Sequence, residues 1–153
     1  MRPLIGALAG ALVLAACGGS SSTSNAPSPS PVPSPTPTIN FTMSAQNGSG
    51  ISGTGTVVKG TGPFTVTIHL TGMDASSSHI SHIHTGACAT PAGIVYALSQ
   101  VVADASGAAT ATSVVPADYS VPATGWYVNV HHGPDFSVPA NGPSISCGDL
   151  PTA

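Results

Sequence analysis

Hydrophobic residues recur at every second position in short runs along this chain, and Gly and Pro interrupt them. In Ile39 to Met43, the side chains of Ile39, Phe41 and Met43 alternate with Asn40 and Thr42. Gly53 to Lys59 is a Thr/Val run entered through Asn47-Gly48-Ser49-Gly50, and after Gly60-Thr61-Gly62-Pro63 come Phe64, Val66, Ile68 and Leu70, interleaved with Thr65, Thr67 and His69. Successive side chains of a strand point to opposite faces, so the Phe64 set is expected inward and His69 outward. Gly93 to Gln100 places Ile94, Tyr96 and Leu98 on one face, and Ala108 to Val115 follows the turn signal Asp104-Ala105-Ser106-Gly107. These two runs are expected to pair as a hairpin. Pro116 to Tyr119 is expected to form one helical turn that Pro122 stops. Trp126 to His131 and Ser144 to Leu150 read as the last strands, the latter cut short by Asp149 and Pro151. With no sustained helical period, about seven or eight strands predict an all-β, antiparallel Greek-key sandwich or barrel.

The residues able to do chemistry fall on two of these segments. His79-Ile80-Ser81-His82-Ile83-His84-Thr85-Gly86-Ala87-Cys88 puts three imidazoles and a cysteine into ten positions. In an extended chain His82 and His84 project from one side and Ile83 from the other. Their bases lie ~7 Å apart, close enough for both rings to lean onto one ion at the ~2.0 Å of a metal–nitrogen bond. His79 falls on the Ile83 face of a regular strand and is expected to orient a ligand rather than bind metal. In Trp126 to His131, Trp126, Val128 and Val130 share the core face, while Tyr127, Asn129 and His131 share the other. A third imidazole thus points away from the core. His132 takes its place only if a bulge shifts the register, which Gly133-Pro134 makes feasible. Asp135 is either a turn residue or a group that orients an imidazole or supplies a fourth ligand. Hydrolytic catalysis is unsupported: no Gly-x-Ser-x-Gly elbow is present and the aspartates are scattered, so no catalytic residue is assigned and an enzyme is not the favoured reading.

Composition narrows the setting. Arg2 and the apolar run Leu4 to Ala16, ending Leu14-Ala15-Ala16-Cys17, read as a secretory signal with a small-residue cleavage site over 1–16. Residues 17–38 are Gly/Ser/Thr and then alternating Pro, a spacer with too little apolar surface to fold. Residues 39–153 make one domain. Charged residues are 5% of the chain and Glu is absent. The only basic side chains are Arg2 and Lys59, which excludes nucleic-acid recognition and any Arg/Lys phosphate clamp.

Leu14-Ala15-Ala16-Cys17 resembles the lipobox of bacterial lipoproteins, which implies cleavage before Cys17 and a diacylglycerol thioether on it. Membrane attachment is then through lipid on Cys17, with the domain in the cell envelope, periplasmic or surface-exposed. Cys88 and Cys147 remain as an even pair in an oxidising compartment, and a disulfide is expected between them.

The His-Ile-His-x-Gly pattern and the Trp-Tyr-Val-Asn-Val-His run are similar to the CHRD domain, the module named after chordin. The same segments resemble copper/zinc superoxide dismutase, a Greek-key β-sandwich. That resemblance matches His79, His82 and His84, then Cys88, then Val128 to His131, then Cys147-Gly148, and implies a copper triad of His82, His84 and His131. Two departures stand out. Ala89 to Ile94 leaves no room for the dismutase zinc loop, and Ser144 stands where the dismutase has its anion-guiding arginine. The expected protein is therefore an envelope-anchored, CHRD-like binding or structural module in which His82, His84 and His131 are either a site for one copper ion, or less favourably zinc, or solvent-facing or hydrogen-bonded strand histidines. The alternative is a copper-binding redox protein or a degenerate copper-only dismutase.

Overall fold

The computed structural model describes residues 36–152. The signal expected at 1–16, Cys17 and the spacer up to residue 35 lie outside the described residues. The domain is all-β, with β1 Thr38–Ala45, β2 Ser52–Lys59, β3 Phe64–Thr71, β4 Ser78–His79, β5 Ser81–Ala87, β6 Thr90–Ala97, β7 Val101–Val102, β8 Ala109–Val115, β9 Trp126–His131 and β10 Ser144–Leu150. Eight of them form one curled antiparallel sheet in the order β6-β5-β9-β10-β1-β2-β3-β8, and β4 and β7 pair separately. The two edges meet through Ser99, whose N–H donates to Ser113 Oγ at 2.7 Å and whose hydroxyl donates to Thr112 O at 2.8 Å. Around the wall β5, β6 and β8 thus follow one another, and β3, earlier in the chain, lies beside β8: a Greek-key order.

The alternation in the sequence fills the interior. Phe64, Val66, Ile68 and Leu70 are buried together with Met43, Ile83, Val128 and Val130, each such side chain contributing about 1.5–3 kcal/mol of burial. Phe64 centres an aromatic group, 5.2 Å from Tyr119 and 6.3 Å from Trp126 between ring centroids. Cys88 and Cys147 form a disulfide that ties the turn after β5 to β10.

Three sequence expectations are corrected. Ala108 to Val115 does not pair with the strand before it; β8 pairs along its length with β3, because its alternation is satisfied equally by any antiparallel neighbour. Pro116 to Tyr119 is a bend rather than a helical turn, since Tyr119 is drawn into the core and its hydroxyl donates to Pro151 O at 2.6 Å. Ile94 does not share the face of Tyr96 and Leu98, which pack against the core, but is exposed, because the β5–β6 register shifts between Ile83 and His84 and again between His84 and Gly86.

One of those shifts falls beside Gly86, at φ 96°, whose N–H donates to the carbonyl of Gly125, itself at φ 86°. A Cβ on Gly125 would meet that Gly86 carbonyl oxygen at 2.6 Å. Two left-handed glycines in contact therefore set where β5 ends and β9 begins, and hence how the histidines of the two strands face each other.

Candidate metal centre

β5 and β9 are hydrogen-bonded neighbours with His82 opposite Asn129 and His84 opposite Tyr127. Directly opposed residues of an antiparallel pair share a face, so His82, His84, Tyr127, Asn129 and His131 emerge on the side of the sheet away from Ile83, Val128 and Val130. Ring centroids lie 5.8 Å apart for His82–His84, 5.3 Å for His82–His131 and 5.7 Å for His84–His131. One nitrogen from each of His82, His84 and His131 lies within 4.8 Å of the others, the only such group among the described residues. A tetrahedral ion at ~2.0–2.1 Å from each would draw those nitrogens to ~3.4 Å, a closure of about an ångström shared among three rotatable rings.

The hydrogen bonds decide which nitrogens are free. His84 Nδ1 is 2.9 Å from Ala92 O and His131 Nδ1 is 2.7 Å from Gly142 O. A carbonyl only accepts, so both Nδ1 atoms carry the proton and both Nε2 atoms present a lone pair. His84 Nε2 and His82 Nδ1 are buried with no hydrogen-bond partner. His131 Nε2 accepts from Asn129 Nδ2 at 3.2 Å.

This face is largely shielded from solvent, with only His82 of the three half-buried, which corrects the expectation of an outward-facing site. His84 is 7% exposed and His131 6%, and every residue of β9 is buried. Alternation tells which face a side chain takes but not what covers that face. The cover is the segment between β9 and β10, with a 3-10 turn at Pro139–Asn141. Its Phe136 ring stacks on His82 and meets His131 edge-on at 4.9 Å, and Tyr127 stacks on His84 at 5.0 Å. Burial, followed by the neighbouring His131 and His84, lowers the His82 pKa to about 4. Burial lowers that of His131 as well, opposed in part by the hydrogen bond to Gly142. Both shifts favour the neutral imidazole that binds a metal.

The other candidates stand outside the cluster. His79 is buried with both ring nitrogens engaged: Nδ1 lies 3.0 Å from His131 O and Nε2 2.9 Å from Ser77 Oγ. It braces the end of β9. His132 is exposed, and the register shift near it falls on β10 between Ser144 and Ser146 rather than on β9. Asp135 is not part of the histidine group: its Oδ1 accepts from Ser137 N at 2.8 Å and Asn141 Nδ2 at 3.2 Å. Hydrogen bonds from Ser137 and Asn141 hold its carboxyl below the usual range. It shapes the covering segment. His69 is exposed and bonds Thr110 Oγ1 at 2.9 Å.

Sequence reasoning missed Phe136, Asn129 and Ser144. Asn129 was readable, because it shares the His131 face; Phe136 was not, because a single aromatic in a Gly/Pro segment carries no periodic signal.

Fold and site together define an all-β domain with a largely buried three-imidazole group, His84 and His131 buried and His82 half-buried, able to hold a metal ion. No protein-family model matches the chain, and no curated protein matches it.

Proposed function

We propose that the domain binds one copper ion through His82, His84 and His131 and works as a copper-binding module of the cell envelope, tethered by lipid on Cys17. The observation that carries this reading is the pair of buried, unpartnered nitrogens, His82 Nδ1 and His84 Nε2. A buried polar atom without a partner costs about 1–3 kcal/mol, and a cation held by the His82, His84 and His131 group would give both a partner. Three imidazoles with no carboxylate or thiolate suit copper, which imidazole sites bind more tightly than zinc. The likeness to the dismutase copper triad supports the same choice, as does the short Ala89 to Ile94 segment that replaces a zinc loop.

Copper held there supplies a one-electron couple or is carried as cargo. Dismutation is not proposed. Ser144 occupies the place of the anion-guiding arginine and no Lys or Arg follows Lys59, so attraction of a superoxide anion is weak. The likeness to the CHRD domain supports an exported, tethered module. Elemental analysis of protein purified from the exported fraction tests the reading: about one copper per chain supports it, and none refutes it.

A further inference from the structure

His131 is the one ligand of the three whose free nitrogen is already taken. Its Nδ1 is committed to Gly142 O at 2.7 Å, so only Nε2 can meet a metal, and there the Asn129 carboxamide donates an N–H at 3.2 Å. Asn129 is held in this pose from its other end, where the Ser144 hydroxyl donates to Oδ1. Ser144 sits at the register shift of β10, opposite His131, so the bulge turns its hydroxyl onto the amide. Asn129 is 6% exposed. Its amide hydrogen carries partial positive charge and points at the lone pair that a cation needs.

Next to this contact lies a cleft of about 170 Å³, lined among others by Asn129, Ser144, Gln46 and Asn47. A carboxamide leaving His131 has room to turn into it and polar side chains to bond there.

We propose that Asn129 gates the metal site: in the metal-free protein its amide closes His131 Nε2, and metal uptake requires the Asn129–His131 hydrogen bond to break and the carboxamide to turn toward the cleft. This rests on the metal-binding reading of the three histidines. Uptake then proceeds in two steps, with His82 and His84 available first and His131 recruited when the amide leaves. The gate sets how tightly and how fast the site fills, while the three histidines set whether it fills.

The test compares wild-type protein with Asn129→Ala and Ser144→Ala, each checked for folding by circular dichroism and thermal melt. Copper affinity is measured by competition with a chromophoric chelator, and uptake rate by stopped flow. Losing one competing hydrogen bond raises affinity about five- to tenfold in Asn129→Ala, with faster uptake. Ser144→Ala, which only loosens the amide, falls between. On adding Cu(I) to wild-type protein, the Asn129 side-chain NH₂ resonance shifts. Copper uptake by wild type with unchanged or weaker affinity in Asn129→Ala overturns the gate and leaves the metal site standing. Uptake by neither protein overturns both.

Discussion

The imidazole of His82 lies face to face with the ring of Phe136, their centroids 5.6 Å apart and their planes 11° from parallel. Phe136 is itself 51% exposed, so a large apolar ring is kept at the surface to cover one candidate ligand and to meet the edge of a second. Replacing Phe136 by Ala removes the cover without opening the hydrophobic interior. Stability is expected to change by less than ~1 kcal/mol. Extraction of bound copper by a chelator is expected to speed up by about tenfold, because water then reaches His82. An unchanged extraction rate shows that Phe136 shields nothing.

His79 separates bracing from ligation. His79→Ala removes two hydrogen bonds, at ~1 kcal/mol each, and opens a buried gap, so a loss of ~2–4 kcal/mol is expected in urea unfolding. Copper stoichiometry stays at one per chain, with weaker binding, because the His131 backbone loses its brace. Loss of the copper itself in a folded His79→Ala protein places His79 among the ligands.

The pH response follows from His82. Its pKa falls from an ordinary 6.5 to about 4 on folding, mainly through burial, and that of His131 moves the same way. Between those two values the unfolded chain binds protons that the folded chain refuses. Stability of the metal-free protein is therefore flat above pH 6.5 and declines as pH falls from about 6.5 to about 4. Urea midpoints at pH 7.5, 5.5 and 4 check this, and His82→Gln is expected to flatten part of the slope. Proton competition at a site with lowered pKa values begins late, so copper is expected to stay bound at pH 5.5. Release near pH 6.5 means that His82 is hydrated like a surface imidazole.

The Cys88–Cys147 bridge closes a loop with a sequence separation of 59. The chain-entropy relation gives ~4 kcal/mol for a loop of that length. Cys88→Ser with Cys147→Ser is expected to lower the melting temperature strongly, and reductant is expected to do the same to wild type. Cys147 lies opposite Asn129 in the β9–β10 pairing, so the reduced protein also loosens the strand that carries the gate. A melting point unmoved by reduction contradicts a structural disulfide.

Much of this was legible in the residues. Period-two alternation placed Phe64, Val66, Ile68 and Leu70 inside, and put His82, His84 and His131 on the faces turned away from Ile83, Val128 and Val130, because one buried face leaves no other register. Strand pairing was harder. β8 joins β3 rather than its chain neighbour, a choice made by long-range packing that local pattern does not encode. Ile94 went astray because bulges at His84 reset the parity of β6. The cover over the histidines was invisible, since Phe136, Asp135 and the turn at Pro139–Asn141 act through one contact each and not through a repeat. The Asn129 amide was in view on the right face, but its contact with His131 depends on a bulge that places Ser144.

The most direct measurement is copper content per chain after loading with Cu(I) or Cu(II) and exhaustive desalting, for wild type and for His82→Ala, His84→Ala and His131→Ala. The account predicts one equivalent bound by wild type and a loss of that equivalent, or its retention only at far weaker affinity, in each folded variant. Wild-type protein that holds no stoichiometric copper in either oxidation state, or variants that hold it as well as wild type does, would contradict it.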